Sequence, residues 1–501
     1  MLSLFGQGFA TILQPYCLLL ILAGTAVGIL FGAVPGLSAV MAVALFLPVT
    51  YGMDAGTGIA VLSALYIGAT SGGLISAVLL KIPGTPASVA TCWDGHPLVE
   101  KGEGAKALGV GVVFSFLGTI ISIGALVFIA PYLASIALSF GPHEYFAIAV
   151  FSLTLIATLS SGSMIKGLFS GAFGFAFSTV GIAPIEANVR FNFGSYELND
   201  GFKTLTVLIG LFAISEIIKT AENSRKEAEA EVAQVSMSKV KGFGFSWNEF
   251  VGQIPNMLRS SAIGIGVGIL PGIGAGTSNI LSYVAAQKQS KYPEKFGTGV
   301  IDGVVASETA NNAGIGGAMI PLMTLGIPGD GVTAILLGGF MVHGIAPGPL
   351  LFKNHAALVY TIFAALILSS VAMLLIEFYG LRVFIKLLKV PKHILLPIVF
   401  ILCVVGAFGL SSLTFDVWTI LIFGLIGYFF VTFKVPQAPF IIGFILGKMA
   451  ETNLRRGLML SDDSFMGFFE NGISCVFLIL SALSILYSIY SGLRKKKTAS
   501  A

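Results

Sequence analysis

Long apolar runs broken by short polar or glycine-rich interruptions fill the chain. They extend over Ile12 to Phe31, Val40 to Val49, Ile59 to Leu80, Leu108 to Leu138, Tyr145 to Leu159, Ile165 to Ile182, Leu205 to Ile218, Met257 to Ala286, Gly314 to Ile327, Val332 to Ile345, Ala356 to Tyr379, Ile394 to Leu410, Val417 to Phe433, Pro439 to Leu446 and Gly472 to Tyr490. The runs are continuous, so the alternation of a transmembrane β-strand is missing. Some are too short for a helix to span a bilayer, and others are long enough to contain a break. The pattern predicts an all-α polytopic membrane protein of about 12 spanning helices, with half-helices that enter and leave by the same side.

One hydrophilic stretch interrupts the pattern. Lys219 to Glu249 is polar, carries both charge signs and favours helix at its start. It reads as an extramembrane connector, either a solvated linker or a docking segment. The expected organisation is a first membrane half at 1–218, a connector at 219–252 and a second membrane half with C-terminal helices at 253–501.

The halves repeat one another. Each carries a Pro-Gly after an apolar run, Pro35-Gly36 and Pro271-Gly272. Each then carries a glycine pair, Gly72-Gly73 and Gly316-Gly317, and an Ile-Pro-Gly ending in Pro83-Gly84 or Pro328-Gly329. From glycine pair to the following proline the spacing is 10 residues in one half and 11 in the other. Such internal repetition is a transporter signature. The loop Thr50 to Gly58 has no Lys or Arg, while Gln287 to Gly299 has Lys288, Lys291 and Lys295. By the positive-inside rule these equivalent loops lie on opposite sides, so the repeats are expected to be inverted. The same rule puts the basic tail Arg494 to Lys497 in the cytoplasm.

Proline removes an N–H and clashes with the preceding turn, and glycine then admits backbone angles that other residues avoid. Together they free carbonyls and amides, which membrane proteins keep buried or beside a wet cavity. A half-helix N-terminus suits an anion; freed carbonyls suit Na⁺. The expected cation site therefore uses Pro35, Gly36, Ser38, Gly272, Thr277, Ser278, Asn279 and Glu308. The expected carboxylate site uses Pro83, Gly84, Thr85, Ser88, Asn311, Asn312, Pro328 and Gly329, with both amides donating. Glu308 is either an ion or proton ligand or a loop residue at the interface. Single hydroxyls in such helices usually serve helix packing; the clustering carries the signal.

Composition narrows the alternatives. Hydrophobic residues make up 55% of the chain and charged ones only 10%, which excludes a soluble or disordered protein of this length. The net charge of +4 forms no patch, so no nucleic-acid partner is expected. Cys17, Cys92, Cys403 and Cys475 show no CxxC spacing and read as packing residues. No basic residue precedes Lys81, so the apolar start is expected to be a membrane segment rather than a cleaved signal. Phosphate-loop, zinc and dinucleotide signatures are missing, and no metal beyond a coupling cation and no cofactor is expected.

Several stretches carry a family resemblance. GAVPGLSAVMA, YIGATSGGLISAVLLKIPGTPASVATCWDGHPLVEKGEGAKALG, GILPGIGAGTSNILSYVAAQKQSKYPEKFGTGVIDGVVASETANNA and IPLMTLGIPGD resemble the large membrane subunit of tripartite tricarboxylate transporters, the TctA family of bacteria. The resemblance covers essentially the whole chain. The family pattern often has Tyr-Gly-Gly where this chain has Thr70-Ser71-Gly72-Gly73. The resemblance implies a multi-pass protein of the bacterial inner membrane. It implies import of a di- or tricarboxylate delivered by a periplasmic binding protein (TctC-like), beside a small membrane subunit (TctB-like), driven by Na⁺ or H⁺ and not by ATP. Two other classes compete: an intramembrane enzyme acting on a lipid-linked substrate, and a channel-like subunit. The adjacent acids Asp462-Asp463 lie beside Arg455 and Arg456 and look like a surface loop rather than a catalytic pair.

Overall fold

The computed structural model describes residues 2–159, 164–223, 243–272, 274–387, 392–409 and 411–499. Connector residues 224–242 lie outside the described residues, as do the side chains of the basic tail. The chain is almost wholly helical. In order come α1 (Leu2–Ile12), α2 (Pro15–Ala33), α3 (Ala39–Phe46), α4 (Ala55–Leu80), α5 (Thr91–Glu100), α6 (Gly104–Ala137), α7 (Pro142–Leu159) and α8 (Met164–Ser178). A short antiparallel pair, β1 (Gly181–Ile182) with β2 (Val189–Arg190), precedes α9 (Thr204–Leu208) and α10 (Ser215–Asn223), which a π-helical segment joins. Then follow α11 (Trp247–Ile269), α12 (Gly274–Gln289), α13 (Ile301–Leu325), α14 (Gly331–Val342), α15 (Pro349–Asn354), α16 (Ala356–Leu387) and α17 (Lys392–Gly409). The last are α18 (Thr414–Thr432), α19 (Gln437–Leu460), α20 (Gly467–Glu470) and α21 (Gly472–Ala499). Among the described residues, 6 helices are long and apolar enough to cross a membrane, and shorter apolar helices accompany them. This is an all-α polytopic membrane protein.

Two compact units divide the chain. The first comprises Met1–Ala134 with Ala213–Leu410, the second Ser135–Phe212 with Ser411–Ala501, so each draws on both sequence halves. In the second unit α8 and α7 pack on α19, and α21 on α7. A cluster around Phe177, with Phe173, Phe202, Phe423 and Phe440, fills its interior. Arg190 grips Glu451 with both terminal guanidinium nitrogens, at 2.6 and 3.0 Å.

The first unit holds both repeats, and local chemistry sets matching starts and stops. Pro15 opens α2, and the chain is already extended at Val34 before Pro35. Ser246 and Glu249 form a capping box at the start of α11, which ends at an extended Leu270 before Pro271. Glu249 lies on the connector side of the apolar run; the bonded ammonium of Lys106, helped by the Ser246 N–H, holds its carboxyl down to about 2. Asp54 caps α4 through the Thr57 N–H at 3.0 Å, and α4 ends on left-handed Lys81. The equivalent α13 ends on left-handed Gly326. Both long helices are buried nearly throughout, and α4 packs on α13.

Glycine contacts fix the register of the repeat. A Cβ on Gly28, Gly32 or Gly72 would overlap the carbonyls of Leu65, Ala69 and Ile29. A Cβ on Gly264, Gly268 or Gly317 would overlap those of Ala310, Gly314 and Ile265. The α2/α4 and α11/α13 pairs thus approach backbone to backbone at equivalent points. This corrects the pairing expected from the sequence: Gly72-Gly73 matches Gly317-Ala318, not Gly316-Gly317. From Gly72 to Pro83 and from Gly317 to Pro328 the spacing is then 11 residues in both repeats. The second glycine pair stands one residue out of step with the first, because the point of closest approach, not the dipeptide, is what the two repeats share.

Candidate binding site

Within each repeat the two breaks touch. The Gly272 N–H donates to the Gly329 carbonyl at 2.7 Å. In the other repeat Gly84 lies against the Gly32 carbonyl, where a side chain would not fit. The segment after each Ile-Pro-Gly is capped in the same way. The Thr85 N–H donates to Ser88 Oγ at 3.2 Å, and Ser88 Oγ donates to the Thr85 carbonyl at 2.9 Å. At the equivalent place the Asp330 N–H donates to Thr333 Oγ1 at 2.8 Å, and the Thr333 N–H to Asp330 Oδ1 at 2.7 Å. One repeat therefore puts a neutral hydroxyl where the other puts a carboxylate.

The repeats also interlock. The half-helix α12 packs on the turn Pro86–Ser88, and α3 packs on α14. Asn279 Oδ1 accepts the Ala90 N–H at 2.8 Å, while its amide donates to the Ser307 carbonyl at 3.3 Å. Asp94 on α5 accepts the N–H groups of Gly297, Gly299 and Val300 at 2.8 to 3.0 Å, and the Tyr283 hydroxyl at 2.8 Å.

Glu308 is the centre of the polar network. It is fully buried in mid-helix, so it is not a loop residue at the interface. Thr91 donates to its Oε1 at 2.5 Å and Ser115 to its Oε2 at 3.0 Å. Asn312, one turn on, donates to its carbonyl at 3.0 Å and reaches Oε2 at 3.4 Å. Asn311 donates to the Thr70 carbonyl on α4 at 3.3 Å. Ser278 reaches the Ala310 carbonyl at 3.3 Å. Glu308, Asn311, Asn312, Ser278 and Asn279 thus lie together on α12 and α13 of the second repeat, and the first half reaches them through the Thr70 carbonyl, the Ala90 N–H, Thr91 and Ser115.

The remaining expected residues stand differently. The hydrogen bonds of Ser38, Thr85 and Ser88 are local caps, Ser38 accepting from the Met41 N–H at 3.1 Å. The Gly36 carbonyl accepts from Thr220 at 3.2 Å, beside the Pro35 break. Thr277 is exposed while Ser278 and Asn279 turn inward. Pro83 is exposed and Pro328 buried. Ser115, Tyr66 and Glu377 escaped the sequence reading. Glu377 had a signal: an acid inside an otherwise apolar run.

The chemistry left open is that of two amide oxygens, which accept, and of hydroxyls, which both donate and accept. Both N–H groups of Asn312 are directed at Glu308, so its amide oxygen is what remains, buried and without a partner. Asn311 Oδ1 and the hydroxyls of Thr309 and Thr85 are buried and unpartnered too. Amide oxygens and a carboxylate around one helix turn suit a cation. Any acceptor group placed at the Asn312 amide nitrogen has to draw it away from Glu308.

Broken helices in repeat, meeting at a buried polar centre in an apolar chain, define a multi-pass membrane transport protein. The family model for the "Tripartite tricarboxylate transporter TctA family" matches residues 18–442, and the chain belongs to that family. An uncharacterized 52.8 kDa protein of Agrobacterium vitis, from the TAR-I ttuC' 3'region, is 32% identical over 497 residues, covering 99% of this chain and 98% of that protein. A second uncharacterized protein, from the TAR-II ttuC' 3'region of the same organism, is 32% identical over 231 residues, 46% of this chain and 96% of its own length. No solved structure matches.

Proposed function

We propose that this chain is the permease subunit of a secondary tripartite transporter. It imports a di- or tricarboxylate handed over by a periplasmic binding protein, beside a small membrane subunit, in the bacterial inner membrane. The observation that carries this reading is the Glu308 centre, a buried acid and two amides reached by Thr91 and Asn279 from the segments after the second and third breaks, in a member of this transporter family. A Na⁺ or H⁺ gradient supplies the energy.

The breaks divide the work by their chemistry. Ser278, Asn279, Glu308 and the carbonyls at Pro35-Gly36 and Gly272 supply acceptors for the cation, with Ser38 and Thr277 at the starts of the neighbouring half-helices. Thr85, Ser88 and the backbone at Pro83-Gly84 and Pro328-Gly329 supply the anion side. Asn311 and Asn312 lie between. A cation beside Glu308 neutralises the carboxylate, which frees the Asn312 amide to donate to the substrate. Ion and substrate then stabilise each other's binding, as symport requires. The inverted arrangement of the repeats gives two related conformations that open to opposite sides, and the basic C-terminal tail is cytoplasmic.

The test is uptake of radiolabelled di- and tricarboxylates by cells that express all three proteins, with the binding protein omitted in a parallel culture. Saturable uptake that disappears without the binding protein supports the reading. Uptake that ignores it, or none for any carboxylate with all three proteins present, contradicts it.

A further inference from the structure

Glu377 has no part in the network above, yet it is fully buried on α16. Its Oε2 accepts from the Ser71 hydroxyl at 2.9 Å, and its Oε1 has no partner. Ser71 adjoins Thr70, whose carbonyl holds Asn311. Positions 70 and 71 of α4 therefore touch Glu377 on one helix and the Glu308 turn on another. Among the described residues neither carboxyl is in a salt bridge.

The elements packed on α16 bring few titratable groups: Tyr66 on α4 with the exposed Asp54 and Lys81 at its two ends, Tyr16 and Cys17 on α2, Lys353 on α15 with the exposed His355 after it, and none on α1. Tyr66 is committed to Asp330, and the hydrogen bond described at Glu377 comes from Ser71. An ionised carboxylate in such a place is costly, and two neighbouring ones more so; the group neutralises instead. A metal cation gathers many oxygens. One hydroxyl beside one carboxyl suits a proton.

We propose that Glu377, held by Ser71, is a proton-binding site, and that its proton is exchanged with water once in each transport cycle. The cycle rests on the transport reading above; the proton site does not. The step moves no electrons. An O–H bond forms on the carboxylate of Glu377 with a proton from water on one side, and the same bond breaks to return the proton to water on the other.

The experiment is infrared difference spectroscopy on the full-length protein in lipid vesicles, titrated in pH with and without Na⁺. The expected result is a protonated-carboxyl carbonyl band at neutral pH. It falls as pH rises, is absent in Glu377→Gln, persists in Glu308→Gln and ignores Na⁺. Ser71→Ala, which keeps the acid, is expected to shift the band, and so serves if Glu377→Gln folds poorly. No band at neutral pH, an unchanged band in Glu377→Gln, or displacement by Na⁺ at fixed pH overturns the proposal. No substrate is present, so failed carboxylate uptake leaves this result standing, and a failed titration leaves the uptake result standing. With all three proteins present, Glu377→Gln is expected to lose uptake driven by a pH gradient; undiminished uptake overturns the exchange.

Discussion

Tyr66 and Asp330 lie 264 residues apart in the chain and 2.6 Å apart in the structure, phenol donating to carboxylate. Asp330 simultaneously caps α14, the half-helix after the fourth break. One carboxylate thus fixes the start of a half-helix in the second repeat and ties it to α4 of the first. The donors at that helix start are partly used before any substrate arrives. Tyr66→Phe removes the tie without removing the ring. The expected cost is about 2 kcal/mol, as for a hydrogen bond to a charged group. Thermal unfolding in detergent reads it, and an unchanged midpoint would show the bond to be idle.

Asn312→Ala removes the amide that bonds Glu308 at one end and offers an unpartnered oxygen at the other. The variant is expected to reach the membrane in normal amount and to lose most uptake. Membrane fractions and transport assays from the same cells separate the two effects. Normal transport removes Asn312 from the site.

The close approach of α11 and α13 makes a sharper distinction within one helix. A Cβ on Gly264 meets the Ala310 backbone, whereas Gly266 has open space around it. Gly264→Leu is expected to destabilise by about 3 kcal/mol or more, through overpacking. Gly266→Leu is expected to be silent. Folded yield after detergent extraction compares them; equal behaviour would refute the register drawn between the repeats.

Asp94 holds three backbone N–H groups of the segment before α13 and the Tyr283 hydroxyl. Asp94→Ala strands those donors. The expected loss is at least about 2 kcal/mol, with faster proteolysis in 297–300. An intact cleavage pattern would contradict this latch.

Much of this was legible in the sequence because breaks are written locally. Pro35, Pro83, Pro271 and Pro328 each stand beside a glycine just after a helix end, whereas Pro255 and Pro321, without one, stand inside helices, and the polar run around Glu308 is conspicuous in an apolar chain. The partners were not legible. Thr91 and Ser115 reach Glu308 from the other half of the chain, and hydroxyls are too common in membrane helices to point to one another. The repeat register needed three dimensions because the matching feature is a contact, not a dipeptide. Glu377 needed only attention to a single acid within α16.

The most direct test of the ion-driven reading is uptake into vesicles that contain this chain and its small subunit, with binding protein and radiolabelled carboxylate outside, under an imposed Na⁺ or pH gradient. Glu308→Gln runs in parallel. The expected result is accumulation that follows one of the gradients, collapses with an ionophore and is lost in Glu308→Gln. Accumulation without any gradient, or undiminished in Glu308→Gln, would contradict a coupled transporter built around that acid.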